Sequence, residues 1–335
     1  MKILYAIQGT GNGHLCRAMD IVPCLREYAA VDVLLSGTQA DITLPFEVKY
    51  RLQGLSFIFG KSGGVDLWKT FVHSKFRRFI KEVKACPVGD YDLVINDFEP
   101  VSAWACNFKG QHCISLSHQA AALCSRAPQP PEVDRLGKFI LEHYAPSKEV
   151  YGFHFKSYSP NFYTPVIRQQ IREKACSDGD HYTVYLPSYD DHFLFESFCR
   201  FPEVQWDVYS KHNREPVRRG NVRIQPIDNE KFVDSMASCR GVLCGAGFET
   251  PAEALFLKKK LLVIPMKNQY EQHLNAAALE ELGVPVIHNI KPESDDRIRE
   301  WIRSDERVEV DYEYQVRELI ERIIADYAQQ KSVNL

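Results

Sequence analysis

The run from Gly241 to Asn275, GVLCGAGFETPAEALFLKKKLLVIPMKNQYEQHLN, admits few folds. A short apolar stretch at 241–244 stops at two glycines, Gly245 and Gly247. A helix-like segment follows at 250–256, then a second apolar stretch at 261–265, a polar turn and another helical segment. That order is strand, glycine turn, helix, strand, polar loop, helix. In a βαβ unit such a turn leaves bare backbone N–H groups at a helix N-terminus, where an anion is stabilised. Ligands of these sheets sit beyond the carboxyl ends of the strands. The loop Lys267-Asn268-Gln269-Tyr270-Glu271-Gln272 follows the second strand and meets the same ligand with groups suited to sugar hydroxyls. A phosphate seat beside a hydroxyl reader points to a nucleotide sugar.

A second glycine turn lies near the N-terminus. The apolar strand at 2–7 runs into Gln8-Gly9-Thr10-Gly11-Asn12-Gly13-His14, and residues 15–28 have helical spacing. Glycines at alternate positions leave room for a ligand to approach the backbone. The pattern is not the dinucleotide fingerprint, because G-x-G-x-G-H replaces G-x-G-x-x-G and only Asp32 loosely supplies the later acid. No Gly-Lys-Ser/Thr follows, so it is not a P-loop. At a helix N-terminus the dipole disfavours a protonated His14, leaving a neutral imidazole able to accept a proton. The alternative is an ordinary strand-to-helix turn with His14 capping its own backbone.

A length of 335 residues fits two α/β domains. The net charge of −3 gives no overall field for nucleic acid, and none is expected as a partner. Between Leu67 and Ala85, Lys69, Lys75, Arg77, Arg78, Lys81 and Lys84 alternate with Phe71, Phe76, Phe79, Ile80 and Val83. This reads as an amphipathic basic helix suited to an anionic membrane surface, or as a plain solvated face. No apolar stretch approaches the roughly 20 residues of a membrane span, and the chain starts directly on a strand. The expected location is therefore cytoplasmic, with peripheral contact at the inner face of the membrane. The ten cysteines lack a C-x-x-C pair and read as reduced thiols. No zinc-type spacing is present, so no metal site is expected.

Apolar runs at 2–7, 31–36, 48–52, 93–96 and 112–116 alternate with helical runs at 15–28, 67–85, 99–107 and 135–143. A second series has strands at 149–154, 182–186, 204–209, 222–225, 241–244, 261–264 and 286–287. Its helices fall at 190–198, 229–238, 250–256 and 272–282. Both series specify parallel sheets covered by helices. The domains are expected at 1–155 and 156–310, facing across a cleft, with residues 311–335 a final helix returning to the first domain.

The motifs together resemble those of GT-B glycosyltransferases, nearest to the family 28 enzymes that make the bacterial cell-wall lipid precursor and to related plant-lipid galactosyltransferases. GTGNGH resembles that family's GGTGGH loop, GAGFETPAEAL its S-G-A-x-T-x-x-E motif, and EQHLNA its QQxxNA. EQHLNA is also similar to the DQxxNA of UDP-glycosyltransferases. The resemblance implies an α/β fold of two Rossmann-like domains. It implies that Gly245, Gly247, Phe248, Glu249 and Thr250 hold the donor diphosphate and that Glu253 accepts from the ribose. Glu271 and Gln272 then read the donor sugar, Asn275 braces their loop, and Gly11, Gly13 and His14 face the reacting centre, with Arg17 in the same loop region. Of the family's second-domain loop G-G-S-x-G only Ser188 is matched, and Glu271 stands where the family has glutamine.

Two further candidates end strands. Asp97 in Asn96-Asp97-Phe98-Glu99 either deprotonates an acceptor or caps the next helix. His118 in Ser117-His118-Gln119 either acts on the acceptor or is structural. The implied reaction is a metal-independent, inverting transfer from a UDP-sugar to an acceptor hydroxyl, with His14, Asp97 or His118 as base. No cofactor is expected beyond the UDP-sugar substrate, and the family points to a lipid-linked acceptor in cell-envelope glycan synthesis. Gly11-x-Gly13-His14-x-x-Arg17 also resembles the start of a bacterial nucleotide-sugar hydrolase. Hydrolysis, epimerisation or mere nucleotide-sugar binding therefore stand as rivals.

Overall fold

Ile3 to Ile7 have no exposed surface at all, as a strand sandwiched between helices on both faces of a parallel sheet requires. The computed structural model describes residues 1–37, 43–55 and 76–333. In the first domain β1 (Lys2–Gln8), β2 (Ala30–Ser36), β3 (Tyr50–Leu52), β4 (Leu93–Asp97), β5 (Cys113–Ser117), β6 (Glu149–Phe153) and β7 (Phe162–Tyr163) form one sheet in the order β3-β2-β1-β4-β5-β6-β7. Every pairing in it is parallel. The sheet runs on to Tyr163, past the boundary expected at 155, because Gly152 and Phe153 pair with Phe162 and Tyr163.

The second sheet is built from β8 (His181–Tyr185), β9 (Gln205–Ser210), β10 (Val217–Arg219), β11 (Val222–Pro226), β12 (Gly241–Gly245) and β13 (Lys260–Ile264), in the order β10-β11-β9-β8-β12-β13. Only β10 runs antiparallel, an edge strand of three exposed residues. The strand expected at 286–287 is reduced to a single bridge between Val263 and Val286. Chain order reverses between β1 and β4 in the first sheet and between β8 and β12 in the second. These are the two places where open parallel sheets bind ligands.

The helix Val316–Val333 closes the molecule. Leu319, Ile320 and Ile323 are completely buried. Arg317 reaches Glu27 and Tyr28, Tyr327 donates to the Asp92 carbonyl at 2.7 Å, and Tyr151 donates to Asp326, all contacts with the first domain. Of the basic segment expected at 67–85, the helix Phe76–Ala85 carries Arg77, Arg78, Lys81 and Lys84, while Phe79 and Val83 face inward. Lys69, Phe71 and Lys75 lie outside the described residues. Among the described residues no helix is long and apolar enough to cross a membrane.

Candidate active site

His14 is the second residue of the helix Gly13–Arg26, and Asp97 is the last residue of β4. The switch point therefore brings them together, with His14 Nδ1 2.8 Å from Asp97 Oδ1. Arg17, one turn further along the same helix, grips that carboxylate from the other side. Its Nε donates to Oδ2 at 3.1 Å and its Nη2 to Oδ1 at 2.8 Å. Burial alone would raise the Asp97 carboxyl, but Arg17 and then His14 outweigh it and hold the group below its ordinary value. Arg17 Nη2 also lies 3.1 Å from His14 Nδ1; in the tautomer with the proton on Nδ1 that nitrogen donates to the ionised Asp97 and Nε2 keeps its lone pair. The ring borders a pocket that Phe98, Gln119, Leu141 and Glu271 also line. Asp97 itself is wholly buried between His14 and Arg17, and it does not cap the next helix. Glu99 does so, accepting from the Val101 and Ser102 amides. Between the two acids Phe98 adopts φ +57°, rare for a bulky residue and typical of functional turns. Its ring lies within 9° of parallel to His14 and packs on Tyr144.

The second switch point faces the first. The glycine turn leads from β12 into the helix Glu249–Phe256, which no side chain caps. Its first N–H groups therefore have no side-chain acceptor, the arrangement in which a helix start can receive an anion. A Cβ added to Gly247 would meet nothing within 4 Å, so this turn lies open, whereas one on Gly13 would come 3.0 Å from the Glu249 Cγ. The two loops thus touch across the cleft, and a side chain at position 13 would make the Glu249 side chain shift. Gly11, at φ +105°, makes the bend before it. Ser188 follows β8, the neighbour of β12, at the same sheet end. Glu249 turns its carboxylate to Arg17, with Nη1 and Oε1 2.5 Å apart. Burial pushes the Glu249 carboxyl up to about 7, against the pull of Arg17.

Other candidates are committed elsewhere. His118 is 1% exposed, with Nδ1 2.9 Å from the Phe153 carbonyl and Nε2 2.6 Å from Asn275 Oδ1. Its ring stacks on Phe248 at 3.7 Å. Both nitrogens face protein oxygens, of which a neutral ring donates to one, and burial lowers its proton affinity. His118 links the domains, reaching the Phe153 carbonyl in one and Asn275 and Phe248 in the other. Asn275 donates to the Ala246 carbonyl, so it braces the glycine turn rather than the loop of Glu271. Gln272 accepts from the Met266 amide and closes its own loop. Glu253, 2% exposed, is held by both Nε and Nη2 of Arg168, at 2.5 and 2.8 Å. A ribose contact would require Arg168 to release it. Thr250 stays in the first turn of the helix, half-buried at the cleft.

Sequence reasoning passed over Gln119 and Arg168. Gln119 Nε2 donates to Glu271 Oε1 at 3.2 Å and lies 3.5 Å from His14 Nε2, joining the two halves of the site. Its only signal was its place beside His118 at a strand end. Arg168 gave none, lying in the connection between domains. Among the described residues no group of three His, Cys, Asp or Glu side chains is set to hold a metal ion.

Residues 1–304 match the sequence profile of the family described as Glycosyl transferase family 1. The chain belongs to that family and is a glycosyltransferase. No curated protein matches it by sequence. Among solved structures it is similar to Arabidopsis thaliana UGT89C1 in complex with UDP, with 15% identity, 96% of this chain and 94% of that one covered, and a TM-score of 0.60. Phytolacca americana UGT2, in complex with UDP-2-fluoro-glucose and pterostilbene, gives 14%, 96% and 93%, and 0.57. Acinetobacter baumannii MurG gives 12%, 98% and 99%, and 0.54. At these identities the likeness is one of fold, the two-domain GT-B arrangement.

Proposed function

We propose that this member of glycosyl transferase family 1 moves a sugar from a UDP-sugar to an acceptor hydroxyl, with His14 as the base. The observation that carries this reading is the orientation of His14. Asp97 holds Nδ1, and the ring borders a pocket directly across from an uncapped helix N-terminus. The acceptor lies against Phe98, Ile140 and Leu141 on the apolar side of that pocket. Its hydroxyl proton passes to His14 Nε2 as the oxygen attacks the anomeric carbon. The bond from that carbon to the diphosphate oxygen breaks. The departing charge is met by the amides of Gly247 to Thr250 and the helix dipole, without need of a metal. Attack from the face opposite the diphosphate inverts the anomeric centre. UDP in two structurally similar proteins supports uridine as the base.

The test is turnover of a panel of nucleotide sugars with and without hydroxyl acceptors, in the parent and in His14→Ala. Transfer that needs both acceptor and His14 supports the reading. Release of nucleotide at the same rate without acceptor assigns the site to hydrolysis instead.

A further inference from the structure

The pocket beside His14 has two sides, and one of them is made of hydrogen-bond acceptors. Gln119 is 5% exposed and its Oε1 has no partner. An amide flip would not cure this, because it would turn that oxygen onto the Glu271 carboxylate that Nε2 now serves. A buried carbonyl without a donor is destabilising, and a ligand hydroxyl relieves it. Gln269 Oε1 is buried and unpartnered as well, and Gln269 lines the same pocket. The remaining polar groups there include the carboxylates of Glu271 and Asp134, and among the described residues no lysine or arginine lines it.

Resting on the transferase reading above, we propose that Gln119, Gln269 and Glu271 select a transferred sugar that presents hydroxyl donors and carries no negative charge. Gln119 Nε2 touches both the base and Glu271, so its oxygen sits where acceptor and sugar meet. A hydroxyl donates to each amide oxygen, satisfying the two that are otherwise buried bare, and another donates to the Glu271 carboxylate beside Gln119. A sugar carboxylate has no proton to give and would face Glu271 and two carbonyl dipoles, with no lysine or arginine among the described residues that line the pocket. Such a site rejects a ligand lacking the donor far more strongly than an apolar pocket rejects a methylene. Gln119 thereby acts as a specificity residue for the sugar.

The test is calorimetric binding of UDP, of UDP-glucose and UDP-galactose, and of their C6-oxidised counterparts UDP-glucuronate and UDP-galacturonate. The parent is expected to bind at least one neutral donor ten times or more tightly than its uronate. Gln119→Leu is expected to lose that preference by weakening the neutral donor about tenfold, while UDP alone binds as in the parent. Gln119→Glu, which keeps the shape and adds a charge, should deepen the rejection of uronates. Uronates bound as well as neutral sugars would overturn the inference, as would unaltered neutral-donor binding in Gln119→Leu. Either result would leave the transferase reading standing if UDP still binds. A parent that binds no UDP sinks both.

Discussion

Arg17 Nη1 meets Glu249 Oε1 at 2.5 Å, joining the helix Gly13–Arg26 of one domain to the helix Glu249–Phe256 of the other. Glu249 is the first residue of that second helix, so under the proposed transfer its carboxylate stands where the donor diphosphate would bind. Burial raises this carboxyl to about 7, and the ionised form is the costly one. Above that pH the charge opposes an anionic donor. Below it Glu249 is neutral and Arg17 is left for the phosphate. Binding of a UDP-sugar, whose diphosphate diester does not titrate in this range, is therefore expected to tighten severalfold from pH 8 to pH 6. Glu249→Gln should bind at the tight limit with no pH slope. The same slope in the variant, measured by calorimetry, would refute Glu249 as its source.

The contact between His14 and Asp97 sets a second expectation. His14→Ala removes the proton acceptor and should lower kcat by roughly 10²–10⁴-fold. Affinity for UDP should not change, since His14 stands on the other domain from the phosphate seat. Asp97→Asn keeps the shape but loses the charge that fixes the Nδ1 proton, so kcat should fall while UDP affinity holds. Equal losses in UDP affinity and kcat would show that both residues serve binding instead.

The fold and the two facing glycine turns were legible because each follows from a short local pattern. An apolar strand, a glycine bend and a helix start need no knowledge of partners. The roles of the acids and histidines were not legible, because they depend on what a distant segment brings to them. Asp97 and His118 both end strands of one sheet, yet Arg17 and His14 claim the first while Asn275, from the other domain, claims the second. Glu253 has the spacing of a ribose reader, and only the folded chain shows Arg168, 85 residues away, upon it. The edge strand β10 and the short β7 were missed since pairs of two or three residues carry no periodicity.

His118 provides a test that separates a strut from a base. A neutral ring donates to only one of its two acceptors, the Phe153 carbonyl or Asn275 Oδ1. Replacing His118 by Ala strips the donor from those groups and removes the ring from Phe248. Stability should fall by about 1–3 kcal/mol for the unsatisfied group alone, read by thermal or denaturant unfolding. The shape of the pH–rate profile should stay that of the parent. A lost titration limb with unaltered stability would make His118 the base after all.

Arg168 and Glu253 form a buried pair at the root of the donor helix, with both carboxylate oxygens engaged. Removing one member leaves the other charged and buried, so Glu253→Ala is expected to cost about 3–5 kcal/mol. Replacing both, Arg168→Met with Glu253→Leu, should recover most of that loss, because the pair's attraction largely offsets its own desolvation. The same pair decides the ribose question. With Arg168 holding Glu253, the parent should bind UDP and its 2′-deoxy analogue within a fewfold of each other. A preference for UDP of tenfold or more, about 1.4 kcal/mol, that vanishes in Glu253→Gln would show that Arg168 releases the carboxylate when nucleotide arrives. The pair would then be a device that opens on donor binding rather than a fixed brace.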